Sequence, residues 1–134
     1  MLFRSAREVG IAAFTGDGQN PVVMESAAKV IKENGGMGIP TLKPWNLEVI
    51  REKTELIKDA QPFAVAMDVD AAGLPFLKGL TPPAGGKTVQ ELADIIKTVN
   101  RPFIVKSIMT VKGALKAIKA EAAKIGRASC RERV

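Results

Sequence analysis

A chain of 134 residues is long enough for one ordinary domain with a core of its own. With 46% apolar and 25% charged residues it is neither disordered nor fibrous in composition. No apolar run approaches the ~20 residues of a membrane span. One cysteine excludes a disulfide framework and makes a cytoplasmic setting the expectation. The chain has no histidine and no tyrosine, which removes imidazole acid–base catalysis and a His-ligated metal site; no metal is expected. The net charge of +6 invites a nucleic-acid partner. Its basic residues are interleaved with acids, however, and three arginines fall in the last ten residues. A solvated surface is therefore expected, with neither nucleic acid nor membrane as partner.

Taken in chain order, four short apolar runs alternate with helical patterns. Ser5 to Gly10 reads as the end of a helix, and Ile11–Phe14 as the first strand. Asn20-Pro21 supplies an N-cap followed by a proline whose missing N–H costs nothing there, and Asn34-Gly35-Gly36 supplies the stop. Met37–Leu42 is the second strand. Asn46 caps a helix whose stripe is Leu47, Ile50, Thr54 and Ile57. Phe63–Asp70 is the third strand, near-continuous in apolar residues as a strand buried on both faces should be. Thr88 and Glu91 have capping-box spacing before the stripe Val89, Leu92, Ile96 and Val99. Pro102–Met109 is the fourth strand, and Thr110 caps a last helix starting near Val111.

This βαβα order predicts an α/β fold with a parallel sheet: about four βα units of a TIM (β/α)8 barrel, with an open flavodoxin-like sheet as the alternative. The fourth strand is expected to be an unpaired edge. Between the third strand and the next helix runs a long loop, Ala71 to Lys87, rich in glycine and proline, including Gly73, Pro82 and Pro83. Such a loop, on the face where α/β folds place their sites, is usually functional or mobile. The last ten residues, Ile125 to Val134, read IGRASCRERV and resemble the translation of a common sequencing adapter. On that reading Cys130 is foreign, residues 1–124 are the partial barrel, and residues 125–134 stay outside fold reasoning.

Each strand ends in polar residues: Thr15-Gly16-Asp17-Gly18, Thr41-Leu42-Lys43, Asp68-Val69-Asp70 and Lys106-Ser107. Four such endings in register predict a shared site. A lysine at a strand end suits an anion, or a cofactor ring that becomes negative on reduction. The glycines beside Asp17 permit close backbone approach. Asp68 and Asp70, two apart in a strand, would share a face, and can either hold a divalent metal with phosphate or contact a cofactor and a catalytic partner. Ser26, Ser107 and Ser129 have no histidine to activate them, so no nucleophile–base pair is visible.

The segment PFIVKSIMT (Pro102 to Thr110) resembles the fifth-strand motif of the FMN-dependent 2-hydroxy-acid dehydrogenases and oxidases, the glycolate and lactate oxidase group. GIAAFTGDG (Gly10 to Gly18), GIPTLKPW (Gly38 to Trp45) and AVAMDVDAAGLPFLK (Ala64 to Lys78) resemble the second, third and fourth strands of a bacterial branch. The resemblance implies an oxidoreductase converting a 2-hydroxy acid to a 2-oxo acid with FMN, in a homo-oligomeric parent. It implies that Lys106 sits beside the flavin edge that becomes anionic, and that Thr15 and Asp68 contact FMN. Asp70 then belongs to the catalytic machinery, as the aspartate that hydrogen-bonds the catalytic histidine. Departures are visible. Members have a glutamine and a tyrosine around Ile39 to Thr41, a glycine at Ser107, and often a threonine at Asp68. The family's next strand carries a Ser-Asn-His-Gly-x-Arg motif that this chain lacks, so the truncated chain is expected to be inactive. An isopentenyl-diphosphate isomerase-like barrel with FMN and a non-catalytic flavin- or phosphate-binding half-barrel are the alternative readings.

Overall fold

Asn20 starts the first long helix as its place before Pro21 predicts, its side chain accepting from the Val22 amide at 3.0 Å. The computed structural model describes residues 2–75, 79 and 84–126. Its elements are α1 (Leu2–Glu8), β1 (Ala13–Phe14), α2 (Pro21–Glu33), β2 (Gly38–Ile39), β3 (Thr41–Leu42) and α3 (Leu47–Lys58). They continue with β4 (Val65–Asp68), a 3-10 turn (Val69–Gly73), α4 (Val89–Val99), β5 (Phe103–Lys106), α5 (Val111–Lys119) and β6 (Lys124–Ile125). Residues 76–78 and 80–83 of the long loop, with Pro82 and Pro83, lie outside the described residues, as do 127–134 of the tail, with Cys130.

Local chemistry sets the helix ends. The Gly36 amide donates to the Ile31 carbonyl at 2.9 Å with a φ of 80°, the left-handed turn that closes α2. A Cβ at Gly36 would stand 2.7 Å from the Gln61 carbonyl oxygen, so the position needs glycine for space as well as for conformation. The Asn46 side chain accepts from Val49 N at 3.0 Å, and Thr110 Oγ1 accepts from Gly113 N at 3.0 Å. Thr88 and Glu91 form the reciprocal box, with bonds of 3.2 and 2.8 Å. All four sequence-predicted caps are in place.

Every strand pairing is parallel. β1 pairs with β2, and β3, β4, β5 and β6 lie side by side in chain order. β2 and β3 belong to the one predicted strand Met37–Leu42, divided at Pro40, which has no N–H to donate but whose carbonyl accepts from Ala66 N at 2.9 Å. The predicted strands are longer than the observed ones: the first is Ala13–Phe14 rather than Ile11–Phe14, and the fourth is Phe103–Lys106 rather than Pro102–Met109. The third strand is Val65–Asp68 rather than Phe63–Asp70, because the backbone winds into the 3-10 turn directly after Asp68 and leaves Phe63 exposed. The fourth strand is not an edge. Ile104 and Val105 pair with Lys124 and Ile125, and the Ile108 amide donates to the Gly126 carbonyl at 2.9 Å. Ladder bonds use backbone groups alone, so this pairing is indifferent to the side chains that follow Lys124.

Alternation along β4 and β5 separates two faces. Val65, Met67, Phe103 and Val105 join Leu42 in the main core, with Met24 and Ile31 of α2, Ile50 and Ile57 of α3, and Ile95 of α4. Ala66 and Ile104 point the other way, into a small cluster with Ile39 and Phe14 that no helix residue joins. The helices pack in sequence, α2 on α3, α3 on α4, α4 on α5. A doubly wound sheet would reverse its strand order and split its helices between two faces. Here the order never reverses and the helices keep to one side, which is barrel architecture.

Two predictions follow from this packing. Val111, Leu115 and Ile118 make a stripe on α5 that is 80%, 54% and 65% exposed, and Ile125 on the last strand is exposed as well. The chain should therefore self-associate at micromolar concentration, and Leu115→Gln with Ile118→Gln should shift it toward monomer. Light scattering showing a monodisperse wild-type monomer would contradict this. The second concerns Thr88. Its backbone and side-chain hydrogen bonds hold the Glu91 carboxyl below its usual pKa. A lowered folded-state pKa gives stability that is present above the unfolded carboxylate range and lost as pH falls through the folded value. Thr88→Ala should cost about 1 kcal/mol at neutral pH by urea denaturation, with a smaller penalty in acid.

Candidate functional site

The parallel register that builds the sheet also gathers its polar ends. On β3, Leu42 enters the core, so Thr41 faces the helix-free side and pairs with Ala66. On β4 and β5, Asp68 and Lys106 follow Ala66 and Ile104 on that same side and are register partners. Their charged atoms meet at 2.9 Å, with the side chains 26% and 7% exposed. The Lys106 ammonium also stands 5.1 Å from the centre of the Phe14 ring, a cation–π distance.

These groups line one cavity of about 170 Å³, whose other walls are Thr15, Gly16 and Asp17 after β1 and Lys43 after β3. Each of the four predicted strand endings thus contributes at least one residue to the cavity. The hydroxyls of Thr15 and Thr41 are buried without any hydrogen-bond partner. Orphaned buried hydroxyls are uncommon and call for an explanation such as a missing ligand. Ser107, next to Lys106, has a φ of 68° and a buried, unpartnered Oγ. That left-handed backbone is glycine territory, which gives a physical reason for the glycine at this position in the family that the motif resembles.

Of the predicted site residues, Thr15, Asp68 and Lys106 come together in the cavity. Asp70 does not. It lies exposed in the 3-10 turn, so the two-residue strand period that would put it on the face of Asp68 no longer applies. Among the described residues no three acidic or cysteine side chains cluster as metal ligands.

Sequence reasoning missed the group that holds the cavity wall. The Asp17 carboxylate, 1% exposed, accepts from Lys53 Nζ at 2.7 Å and Gly18 N at 2.8 Å through Oδ1. Through Oδ2 it accepts from Lys43 N at 2.9 Å and from the Trp45 indole at 2.7 Å. Lys43 Nζ donates to the Asp17 carbonyl, and Lys53 Nζ to the Gly18 carbonyl at 2.9 Å. A signal was present: Lys53 sits three residues after Ile50, on the apolar face of α3, and a lysine at a core position requires a buried counter-ion.

Compared with known proteins, the chain matches no family model and no curated protein sequence. Solved structures do match. A mandelate oxidase superposes with a TM-score of 0.63 at 20% identity, over 92% of this chain and 42% of that one. A mandelate oxidase with benzoyl-formic acid gives 0.63 at 22% identity, over 92% and 40%. A lactate oxidase of Pediococcus acidilactici gives 0.56 at 20% identity, over 84% and 45%. The fold is part of a (β/α)8 barrel. The chain spans less than half the length of these oxidases, and at such identities the likeness is one of fold. Among the described residues no helix is long and apolar enough to cross a membrane.

Because Asp17 and Lys53 are almost fully buried, Asp17→Asn should leave the ammonium uncompensated and cost about 3–5 kcal/mol of stability. Urea denaturation measures it; a loss below about 1 kcal/mol would show that the indole and backbone donors suffice without the charge.

Proposed function

We propose that this chain is part of an FMN-dependent oxidoreductase that converts a 2-hydroxy acid to a 2-oxo acid, with the flavin held at the strand-end cavity. The observation that carries the reading is the buried Lys106 ammonium facing a cavity with two orphaned hydroxyls. The motifs around Lys106 and the oxidase-like fold support it.

The residues present suit the cofactor. A flavin ring offers carbonyl and ring-nitrogen atoms to hydroxyl and ammonium groups, and Thr15, Thr41 and Lys106 supply such groups from three strand ends. At about 170 Å³ the cavity takes one edge of such a ring, since whole ligand pockets run to about 300–1,000 Å³. When bound, FMN supplies the two-electron acceptor that no side chain of this protein provides. Lys106 holds positive charge where negative charge develops, and its burial keeps water from screening it. Thr15 and Asp68 contact the cofactor. Asp70, exposed at the start of the turn after β4, is free to orient a histidine brought by a further strand and to steady its imidazolium as it takes the substrate's proton. This chain has no such histidine, so we assign it cofactor contacts but no turnover.

Two outcomes are expected. Supplied with FMN and lactate, glycolate or mandelate, the chain should show no oxidation above the free-flavin background. Turnover that disappears in Asp70→Asn would overturn the assignment of the base to another segment. In a complete barrel that contains this arc, Lys106→Met should slow substrate-driven flavin bleaching by about 10²–10³ while changing substrate affinity far less. An unchanged rate by stopped-flow absorbance would reject the role of Lys106.

A further inference from the structure

Asp68 ends β4 and Lys106 ends β5, and the parallel register makes them direct neighbours on the face that lines the cavity. Their charged atoms are 2.9 Å apart. Apart from that ion pair, Asp68 Oδ1 has no hydrogen-bond donor. The ammonium that gives this cavity its appeal to an anion is thus already compensated, by a carboxylate one strand away on the same wall. Asp17 is no substitute: its two carboxylate oxygens are occupied by Lys53, the Trp45 indole and two backbone amides. Lys106 and Asp68 form a charge pair of their own.

We infer that Asp68 is a positioning residue that sets the charge selectivity of the cavity, acting as the built-in counter-ion of Lys106. The inference rests on the proposed reading of the cavity as a cofactor site and deepens it. A negative charge arriving at Lys106 must compete with Asp68 for the ammonium, whereas a neutral ring edge need not. With the carboxylate in place the pair presents no net charge. With a neutral side chain there, Lys106 would present its full charge to whatever occupies the cavity. Asp68 therefore weakens the binding of negative occupants relative to neutral ones, and holds the Lys106 side chain against the β4 end while the cavity has none.

The test compares the full chain with Asp68→Asn, Asp68→Thr, Lys106→Met and the double variant Asp68→Asn/Lys106→Met. Each is titrated by calorimetry with sodium sulfate and, separately, with FMN; circular dichroism and thermal melts verify folding. Two substitutions at Asp68 guard against one failing to fold. Both should bind sulfate at least tenfold more tightly than wild type, and the gain should vanish in the double variant. A purely structural role for Asp68 would produce no gain, or one that survives the loss of Lys106, and either result would overturn the inference. Sulfate gain without FMN binding in any variant would remove the flavin reading and leave the counter-ion standing. FMN binding by wild type without a sulfate gain would do the reverse.

Discussion

A single carboxylate organises the end of this sheet. Asp17 is the most heavily bonded side chain of the site: each of its oxygens takes two donors, from Lys53 and Gly18 on one and from Lys43 and Trp45 on the other. A charge 1% exposed survives only where partners replace its lost water. Those partners come from three places: its own loop after β1, the loop after β3, and the buried face of α3. The bond set therefore fixes the distance between two successive strand–helix connections. The Lys53 ammonium, 5.8 Å from the Trp45 ring centre, also braces the indole against the same helix. Because Asp17 and Lys43 are themselves cavity walls, the shape of the site depends on this pairing more than on any residue that would touch a ligand.

The rest of the site follows from parallel pairing. Successive residues of a strand face opposite sides, and neighbouring parallel strands keep that alternation in register. Once Met67 and Val105 are committed to the core, Asp68 and Lys106 have no choice of face. The helices cover one side, so the other receives only the small cluster around Ile39, Ala66 and Ile104. Polar groups beyond that cluster meet a cavity instead of a helix. Burial and function are thus separated by a single residue step along each strand.

This explains which features were legible in the sequence. Caps are local: Asn20, Asn46, Thr88 and Thr110 each bond an amide two or three residues away, and such signals need no knowledge of the fold. The parallel βαβα order was legible because near-continuous apolar runs between helical stripes leave few alternatives. Strand limits were not. The division of the second strand depends on which neighbour each half pairs with, and the 3-10 turn after Asp68 ends a run that apolar content alone would prolong. The second partner of β5 is a two-residue strand, too short for any periodicity to show. The Asp17 pair spans 36 positions of sequence, and only the misplaced polarity of Lys53 on α3 hinted that a partner existed.

Barrel sites draw one or two residues from the end of each strand, so an arc of the barrel holds a share of the constellation rather than a reduced copy of all of it. The share here is uneven in kind. It contains a buried cation, two orphaned hydroxyls and a compensating carboxylate, all groups that on the proposed reading hold or tune a bound species. It contains no histidine. Recognition terms arise from separate contacts and fade gradually as contacts are removed. A catalytic constellation acts as a unit, so losing one member forfeits most of what the others contribute. In a barrel cut along its strands, the selectivity of the cavity should therefore outlast its chemistry, and the register pairing of Asp68 with Lys106 is the part of that selectivity this arc contains whole.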